Sequence, residues 1–112
     1  MSNNKFKLTG NVSKPTFHVD KNGKEFAIIN MATNNSYTDK QGEVIDKPAI
    51  WHTLKVFFPI PLAVAHQLTE GSFITASGDI EYIIHEFEED GSKRYVKEVS
   101  LMCTWINIIS IK

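Results

Sequence analysis

The stretch Ala49-Ile50-Trp51-His52-Thr53-Leu54-Lys55-Val56-Phe57-Phe58 decides how the rest of this chain is interpreted. Its β-branched and aromatic residues, followed by Pro59 and Pro61, predict a β-strand. Alternate side chains of a strand point to opposite faces. One face is therefore mostly apolar and carries Ile50, His52, Leu54, Val56 and Phe58. The other face carries two aromatic rings with a cation between them: Trp51, Thr53, Lys55 and Phe57.

This second face has two interpretations. Nucleic-acid bases stack on exposed aromatic rings, and a lysine between two rings can reach the phosphates of the same strand. Alternatively, the strand is buried on both faces and Lys55 extends its aliphatic stem outward to water. The strand alone does not decide between them, so the rest of the chain has to.

Length and composition predict one folded domain over residues 1–112. The hydrophobic fraction of 42% is ordinary for a folded protein. The single cysteine, Cys103, excludes an internal disulfide and fits a reducing compartment. No run of eighteen apolar residues and no hydrophobic signal core are found. We therefore expect a cytoplasmic protein with no membrane partner.

The charge is unevenly distributed along the chain. Residues 1–58 hold eight lysines against five acidic residues, a balance of +3. Residues 59–112 hold four basic residues against eight acidic ones, a balance of −4. The net charge of −1 argues against polyanion binding by bulk electrostatics. A nucleic acid would have to bind a local basic face, and the aromatic strand lies in the basic half.

The remaining segments predict a small β-barrel. Strands are predicted at residues 5–12, 16–19, 24–34, 49–58, 72–84, 93–103 and 105–111. Asn22-Gly23 and Asp90-Gly91 predict hairpin turns. Residues 34–48 predict a long exposed hairpin or loop carrying Tyr37 and Lys40.

Residues 61–70 predict the one helix, and Gly71 ends it. Gly78 is expected to form a bulge within its strand. The fold class predicted is all-β: a five- to six-stranded Greek-key barrel of the OB-fold kind, with one short helix between strands 3 and 4. The usual ligands of such barrels are oligonucleotides and oligosaccharides, which favours the stacking interpretation of the aromatic strand.

Several segments, in order and spacing, resemble the bacterial single-stranded DNA-binding proteins. The matching segments are Leu8-Thr9-Gly10-Asn11, residues 32–40, Trp51-His52 with Val56-Phe57, Glu70-Gly71-Ser72, Gly78-Asp79-Ile80 and Arg94-Tyr95. Members of that family wrap single strands over OB-folds, stack bases on aromatic rings and pair phosphates with lysine and arginine. The resemblance covers nearly the whole chain, and it implies this fold and this activity.

The resemblance also implies roles for individual residues. Base stacking falls on Trp51, Tyr37 and Phe57, and a further hairpin aromatic is nearest to Phe87. Phosphate contacts fall on Lys5, Lys7 and Lys40, with Lys14 and Lys55 as helpers. His52 matches a family histidine at a subunit interface. Family members form dimers and tetramers, so a homo-oligomer is expected.

This chain departs from the family pattern at several basic positions. Thr53 stands where the family has arginine, and Phe58-Pro59 replaces a basic residue. Thr69-Glu70 replaces an arginine-lysine pair, and residues 81–85 lack the basic character of the family hairpin. Each lost phosphate contact weakens binding and flattens its salt dependence. The chain also ends at Lys112 without the family's acidic tail, so we expect either a trimmed domain or a tail-less relative.

No motif in the sequence predicts catalysis or a cofactor. His18, His52, His66 and His85 lack metal-ligand spacing, and Cys103 stands alone. The acidic run at residues 86–90 is typical of a solvated hairpin. We expect no metal, no cofactor and no enzymatic activity. Trp105 is expected in the core or at an interface, because isoleucines surround it in the sequence.

Two functions remain open. The first is sequence-independent binding of single-stranded DNA in replication, recombination or repair, with replication or recombination proteins as possible partners and a nucleoid-associated location. The second is an OB-fold protein-interaction module, related to primosomal or plasmid and phage accessory factors, in which DNA binding is weak or lost. The lost basic positions and the acidic hairpin favour the second, and the aromatic strand favours the first.

Overall fold

The computed structural model describes residues 3–112, which include all of the predicted site residues. Eight strands and one helix are found within the described residues. In chain order they are β1 (Lys5–Val12), β2 (Thr16–Val19), β3 (Glu25–Thr33), β4 (Tyr37–Thr38), β5 (Val44–Ile45), β6 (Ile50–Val56), α1 (Pro59–Ala65), β7 (Phe73–Glu89) and β8 (Ser92–Ser110). That helix is too short to cross a membrane, and no part of residues 3–112 forms a helix that could.

Five strands close into a barrel. The sheet order is β1-β7-β8-β6-β3-β2, and an additional pairing between β1 and β3 closes the ring. β2 is left outside the ring as an edge strand on β3. β6 and β8 pair in parallel, at Leu54 with Leu101 and at Lys55 with Met102, whereas the other pairings are antiparallel. The predicted all-β OB-fold barrel is confirmed.

The barrel is filled by the inward side chains of its strands. From β3 and β6 these are Ala27, Ile29, Met31, Leu54 and Val56, all fully buried. Ile74 and Ala76 of β7 and Cys103 and Ile106 of β8 complete the core on the opposite side. The alternation predicted for residues 49–58 holds in the middle of β6, where Leu54 and Val56 point inward and Trp51 and Thr53 are exposed. It was wrong at the two ends of the apolar face, because Ile50 and Phe58 are 47% and 50% exposed.

The predicted helix was wrong in its place among the strands and in its bounds. α1 lies between β6 and β7, not between strands 3 and 4, because β2 and the small β4–β5 sheet add short strands before it. α1 also begins earlier and ends earlier than residues 61–70. Pro59 and Pro61 fit its first turn, where no helical N–H bond is lost. After Ala65 the chain makes tighter bonds, from Gln67 N–H to Val64 O and from Leu68 N–H to Ala65 O.

The last two strands form a long hairpin that extends beyond the barrel. β7 and β8 pair from Phe73–Ser110 to Glu89–Ser92, around a turn in which Asp90 has φ 53° and Gly91 has φ 76°. Separate strands at 93–103 and 105–111 were therefore wrong. A bulge opposite Ser77 and Gly78 absorbs Thr104, so β8 continues through it. Residues 81–100, called the arm below, pair only with each other.

Two turns in the first half of the chain have the same structure. In one, the Asp20 carboxylate accepts bonds from the N–H groups of Asn22 (2.8 Å) and Lys24 (2.9 Å). In the other, Asp39 accepts bonds from Gln41 and Glu43, both at 2.9 Å. Each turn closes on a glycine with positive φ, at 80° and 84°. These turns join β2 to β3 and β4 to β5, which confirms the predicted hairpins at residues 16–34 and 34–48.

Candidate nucleic-acid interface

The outward side chains of β3 and β6 form one continuous surface, called the outer face below. Its pairs across the two strands are Ala32 with Trp51, Asn30 with Thr53, and Ile28 with Lys55. Phe26 and Phe57 continue the surface just beyond the end of β6. The predicted strand alternation therefore brings Trp51, Lys55 and Phe57 to one side of the barrel.

Trp51 is the most open ring of this surface. Its side chain is 62% exposed. It lies opposite Ala32, whose small side chain covers little of the indole. Thr53, the next outward residue of β6, donates its hydroxyl to Asn30 Oδ1 at 3.0 Å and thereby fixes the floor beside the ring. An exposed indole on a rigid sheet is the geometry that base stacking needs.

Phe57 is half-buried because other rings pack on it. Its ring stacks on Phe26, with centroids 4.9 Å apart and planes 19° from parallel. Phe26 in turn stacks on His18 of β2, at 5.3 Å and 28°. The three rings, called the ring row below, cross β2, β3 and the end of β6. One face of Phe57 is thus already occupied by protein.

Lys55 is partly neutralised by the arm. Its ammonium lies 4.0 Å from a Glu98 carboxylate oxygen, and the other oxygen of Glu98 is 2.7 Å from His85 Nε2. The parallel pairing of β6 with β8 brings this part of the arm beside Lys55. Lys55 is therefore on the outer face as expected, but its charge is shared with an acidic residue.

Tyr37 and Lys40 lie on the β4–β5 hairpin, which is a separate two-stranded sheet. Tyr37 is exposed, and the Lys47 ammonium lies 5.0 Å from the centre of its ring. Lys40 occupies the tip of the turn and is exposed. The hairpin thus carries an aromatic ring with two cations, Lys40 and Lys47, as a phosphate-binding hairpin would.

The remaining predicted lysines are less uniform. Lys7 and Lys14 are exposed and form no ion pair with residues 3–112. Lys5 instead forms an ion pair with Asp79. Lys7 lies four residues before Asn11, the β1 residue that pairs with Ala32, so it is about 13 Å along β1 from the row of Trp51. These lysines are not gathered around Trp51.

Phe87 and Arg94 pair with each other near the end of the arm, where Phe87 is exposed. They share a face of the arm with His85 and Glu98, because residues two apart on a strand point the same way. That face is the one whose Glu98 reaches Lys55. Phe87 therefore lies on the same face of the arm as Glu98, and its role in base stacking stays a prediction.

His52 and Trp105 differ in how well they match expectation. His52 is half-buried at the end of the barrel, and its Nε2 lies 3.0 Å from the Thr33 hydroxyl. Its role at a subunit interface stays a prediction.

Trp105 is 48% exposed and pairs with Ser77 on the outside of the barrel. Of the two places expected for Trp105, the core was wrong, because the bulge at Ser77 and Gly78 keeps Cys103 and Ile106 as the inward residues. An interface position for Trp105 stays a prediction.

Among the residues that the structure describes, the titratable side chains form no metal-type cluster and no activated thiol. Within residues 3–112, no three His, Cys, Asp or Glu side chains cluster as metal ligands would. Burial raises the pKa of the Cys103 thiol to about 11, which suits an inert core residue and not a nucleophile. Aromatic rings, lysines and hydroxyl groups are what the outer face presents.

His18 and Phe26 are the two residues of this surface that the sequence did not single out. β3 is apolar enough to predict burial on both faces, and the sequence marks His18 only as one of four histidines without metal-ligand spacing. His18 faces Phe26 because the loop between β2 and β3 has five residues, 20–24. The sequence is also compatible with a two-residue turn at Asn22-Gly23, which would pair His18 with a different residue.

Comparison with known structures supports the fold. The single-stranded DNA-binding protein of Plasmodium falciparum, solved as a complex with single-stranded DNA, has 20% sequence identity and a TM-score of 0.67, covering 100% of this chain and 97% of that one. A deletion mutant of the Thermus aquaticus single-stranded DNA-binding protein has 23% identity and a TM-score of 0.73, covering 96% of this chain and 50% of that one.

A small single-stranded DNA-binding protein of Streptomyces coelicolor has 17% identity and a TM-score of 0.67, covering 96% of this chain and 95% of that one. At these identities the three structures establish the shared barrel. The family itself is established from the sequence, since the model of the Single-strand binding protein family matches residues 3–104. Because that match spans most of the chain, the protein belongs to the single-strand binding protein family.

Proposed function

We propose that this chain binds single-stranded DNA without sequence preference, by stacking bases on the outer face and contacting phosphates with nearby lysines. Exposed Trp51, on a rigid sheet of a family barrel, is the observation that carries the proposal. Stacking accepts any base because every base has a π-face. Tyr37 with Lys40 and Lys47, and Phe87 with Arg94, extend the contact to the two hairpins.

The test is titration of the protein with a poly-dT oligomer, followed by tryptophan fluorescence. Stacking on Trp51 is expected to quench the emission, and Trp51→Ala is expected to cost about 1–3 kcal/mol of binding free energy. Trp51→Phe keeps a ring and should retain most of the affinity. Trp105→Phe identifies the share of the signal that belongs to the second tryptophan. Equal affinities for wild type and Trp51→Ala would remove the stacking model.

We infer that the protein acts as a homo-oligomer, a dimer or a tetramer. The arm exposes apolar side chains on both faces, which a small monomer rarely leaves in water. They are Tyr82, Ile83, Ile84, Phe87, Tyr95, Val96 and Val99. Sedimentation equilibrium should give two or four times the chain mass of 12.7 kDa. A mass of 12.7 kDa across the micromolar range would contradict this.

The wider role follows from the binding activity. We infer that the protein has no catalytic activity and serves replication, recombination or repair in the cytoplasm, on the nucleoid, together with proteins of those pathways. The residues of the outer face support this, because they hold a strand without reacting with it. Recovery of the tagged protein with chromosomal DNA, and its loss after treatment with a single-strand nuclease, is the expected result in cells.

The alternative of a protein-interaction module is favoured by one observation. The arm carries six acidic residues against three basic ones, and Glu98 lies beside Lys55. In that case a protein partner would contact residues 86–90. Oligonucleotide binding would also be undetectable near physiological salt, and the fluorescence titration repeated at about 0.15 M salt decides between the two functions.

A further inference from the structure

The ring row has two ends, and only the ends can accept another ring. Phe26 has one face against His18 and the other against Phe57. A ring in the middle of a stack has no face left for a base. His18 lies on β2, the edge strand, with no further strand beyond it. The face of His18 that points away from Phe26 is therefore open to solvent, and His18 is exposed.

The His18 ring is held in place before any ligand arrives. Its Nε2 lies 3.0 Å from the Thr16 hydroxyl, which is on the same face of β2. Phe26 supports the ring from behind, at a centroid distance of 5.3 Å. A ring fixed in this way loses little conformational freedom when a partner stacks on it, so less of the stacking energy is spent on ordering.

Cations lie next to this end of the row. The turn between β2 and β3 carries Lys21 and Lys24, which are exposed and form no ion pair with residues 3–112. Asp20, the one acidic residue of that turn, is occupied by the N–H groups of Asn22 and Lys24. Lys21 occupies the same position in its turn as Lys40 does in the matching turn after Tyr37. In each turn the lysine therefore follows an aromatic group by three residues along the chain.

We propose that the open face of His18 is a further base-stacking subsite, in which one nucleobase extends the ring row and Lys21 or Lys24 contacts its phosphate. The subsite rests on the proposed single-stranded DNA binding and adds one nucleotide at the β2 edge of the outer face. A DNA strand that reaches this subsite crosses β3, because His18 is on β2 whereas Trp51 and Phe57 are on the β6 side of β3. The alternative is that His18 only packs on Phe26 to hold β2 in place.

The test measures dT-oligomer affinity for four proteins: wild type, His18→Ala, His18→Tyr and His66→Ala. His66 also stacks on a phenylalanine, Phe17, at 4.0 Å and 5°, but on the opposite face of β2, next to α1. His66→Ala therefore removes a matched histidine–phenylalanine stack away from the outer face. We expect His18→Ala to weaken binding about fivefold, the lower end for loss of one stacking ring. His18→Tyr and His66→Ala should bind as wild type does.

Photocrosslinking provides a readout that packing alone would not change. An oligomer containing 5-iodouracil is irradiated with the wild-type protein, and the adducts are located by peptide mapping. An adduct on His18 is the expected result. Wild-type affinity in His18→Ala, equal losses in His18→Ala and His66→Ala, or adducts confined to other rings would each overturn the subsite. These results differ from failure of the proposed function, in which the wild-type protein itself would not bind the oligomer.

Discussion

At the residue scale, Glu98 determines how much positive charge the outer face offers. Its carboxylate is shared between Lys55 and His85, at 4.0 and 2.7 Å. A phosphate approaching Lys55 would have to compete with that carboxylate and would also be repelled by it. Exposed ion pairs of this kind are worth about 0.2–1 kcal/mol, so the restraint is mild but measurable.

Replacing Glu98 by glutamine should therefore tighten binding. We expect Glu98→Gln to raise the affinity for a dT oligomer about 1.4- to fivefold at low salt, since the gain corresponds to the energy of one exposed pair. The advantage should shrink as salt is added. Glu86→Gln is the matched control, because it changes the net charge equally and frees Lys93 on the other face of the arm. Equal gains in both variants would indicate net charge as the cause, not Lys55.

Cys103 gives the protein a pH dependence that has nothing to do with DNA. Burial raises the pKa of its thiol from 9.0 to about 11 in the folded protein. As pH rises above about 9, the thiol therefore ionises in the unfolded chain while it stays protonated in the folded protein, which favours unfolding. Stability should fall between pH 9 and 11, by on the order of 2 kcal/mol from this residue. Urea unfolding at pH 8 and 10.5 measures the fall, and Cys103→Ala should lack this part of it.

At the element scale, closure of the barrel depends on a close approach between β1 and β3. A Cβ on Gly10 would lie 2.1 Å from the carbonyl oxygen of Ala32. A Cβ on Gly78 would likewise lie 1.9 Å from the carbonyl oxygen of Met102, at the bulge. Both obstacles are backbone atoms, which cannot move aside without opening the sheet. Glycine is thus required where one strand crosses close to another.

Gly10→Ala should destabilise the protein by about 1–3 kcal/mol, the range for forcing extra volume into a packed site. Urea unfolding followed by circular dichroism gives the change. Thr9→Ala is the control at the neighbouring position, where the exposed hydroxyl only bonds to Thr75 at 2.9 Å. A Gly10→Ala midpoint equal to that of Thr9→Ala would show that the β1–β3 pairing is not needed for stability.

The features that could be predicted from the sequence are those that depend on local patterns, namely strand alternation and turns. Strand alternation correctly placed Trp51 and Lys55 outward and Leu54 inward, and the turns at Asp20 and Asp90 followed from their glycines. What it could not predict depends on pairings between distant strands. Glu98 reaches Lys55 only because β6 and β8 pair in parallel. Trp105 is outside only because a bulge shifts the register by one residue.

At the scale of the whole molecule, the shape is dominated by the arm. The radius of gyration is 17.0 Å, whereas a compact chain of this length would have about 13 Å. Most of the excess negative charge lies on the arm, and the outer face lies on the barrel. A strand bound on the outer face would be flanked by an acidic projection, so, apart from Arg94, its backbone contacts come from the β1, β2 and β4–β5 side.

The salt dependence of binding should reflect which cations are already paired. Of the five lysines predicted to contact phosphate, Lys5 and Lys55 are paired with acidic residues. The other three, together with Lys47, Arg94 and one lysine of the β2–β3 turn, make six cations proposed at the strand that form no ion pair with residues 3–112. Each released counterion contributes about 0.7 to the slope for a single strand, so we expect a plot of log affinity against log salt with a slope of about −4 per protomer. A slope of about −5.6 would mean that Lys5 and Lys55 also exchange their partners for phosphate.

The long hairpin also bears on the order in which the chain folds. β7 and β8 are joined by a two-residue turn, so their pairing can spread outward from Asp90 and Gly91 through short loops. The β1–β7 and β6–β8 pairings join residues roughly 50 to 70 positions apart and close slowly for that reason. During synthesis β8 emerges last of the five barrel strands, and the ring cannot close without it. In a growing chain, Trp51 is therefore synthesised well before the barrel that would hold it as a stacking surface can close.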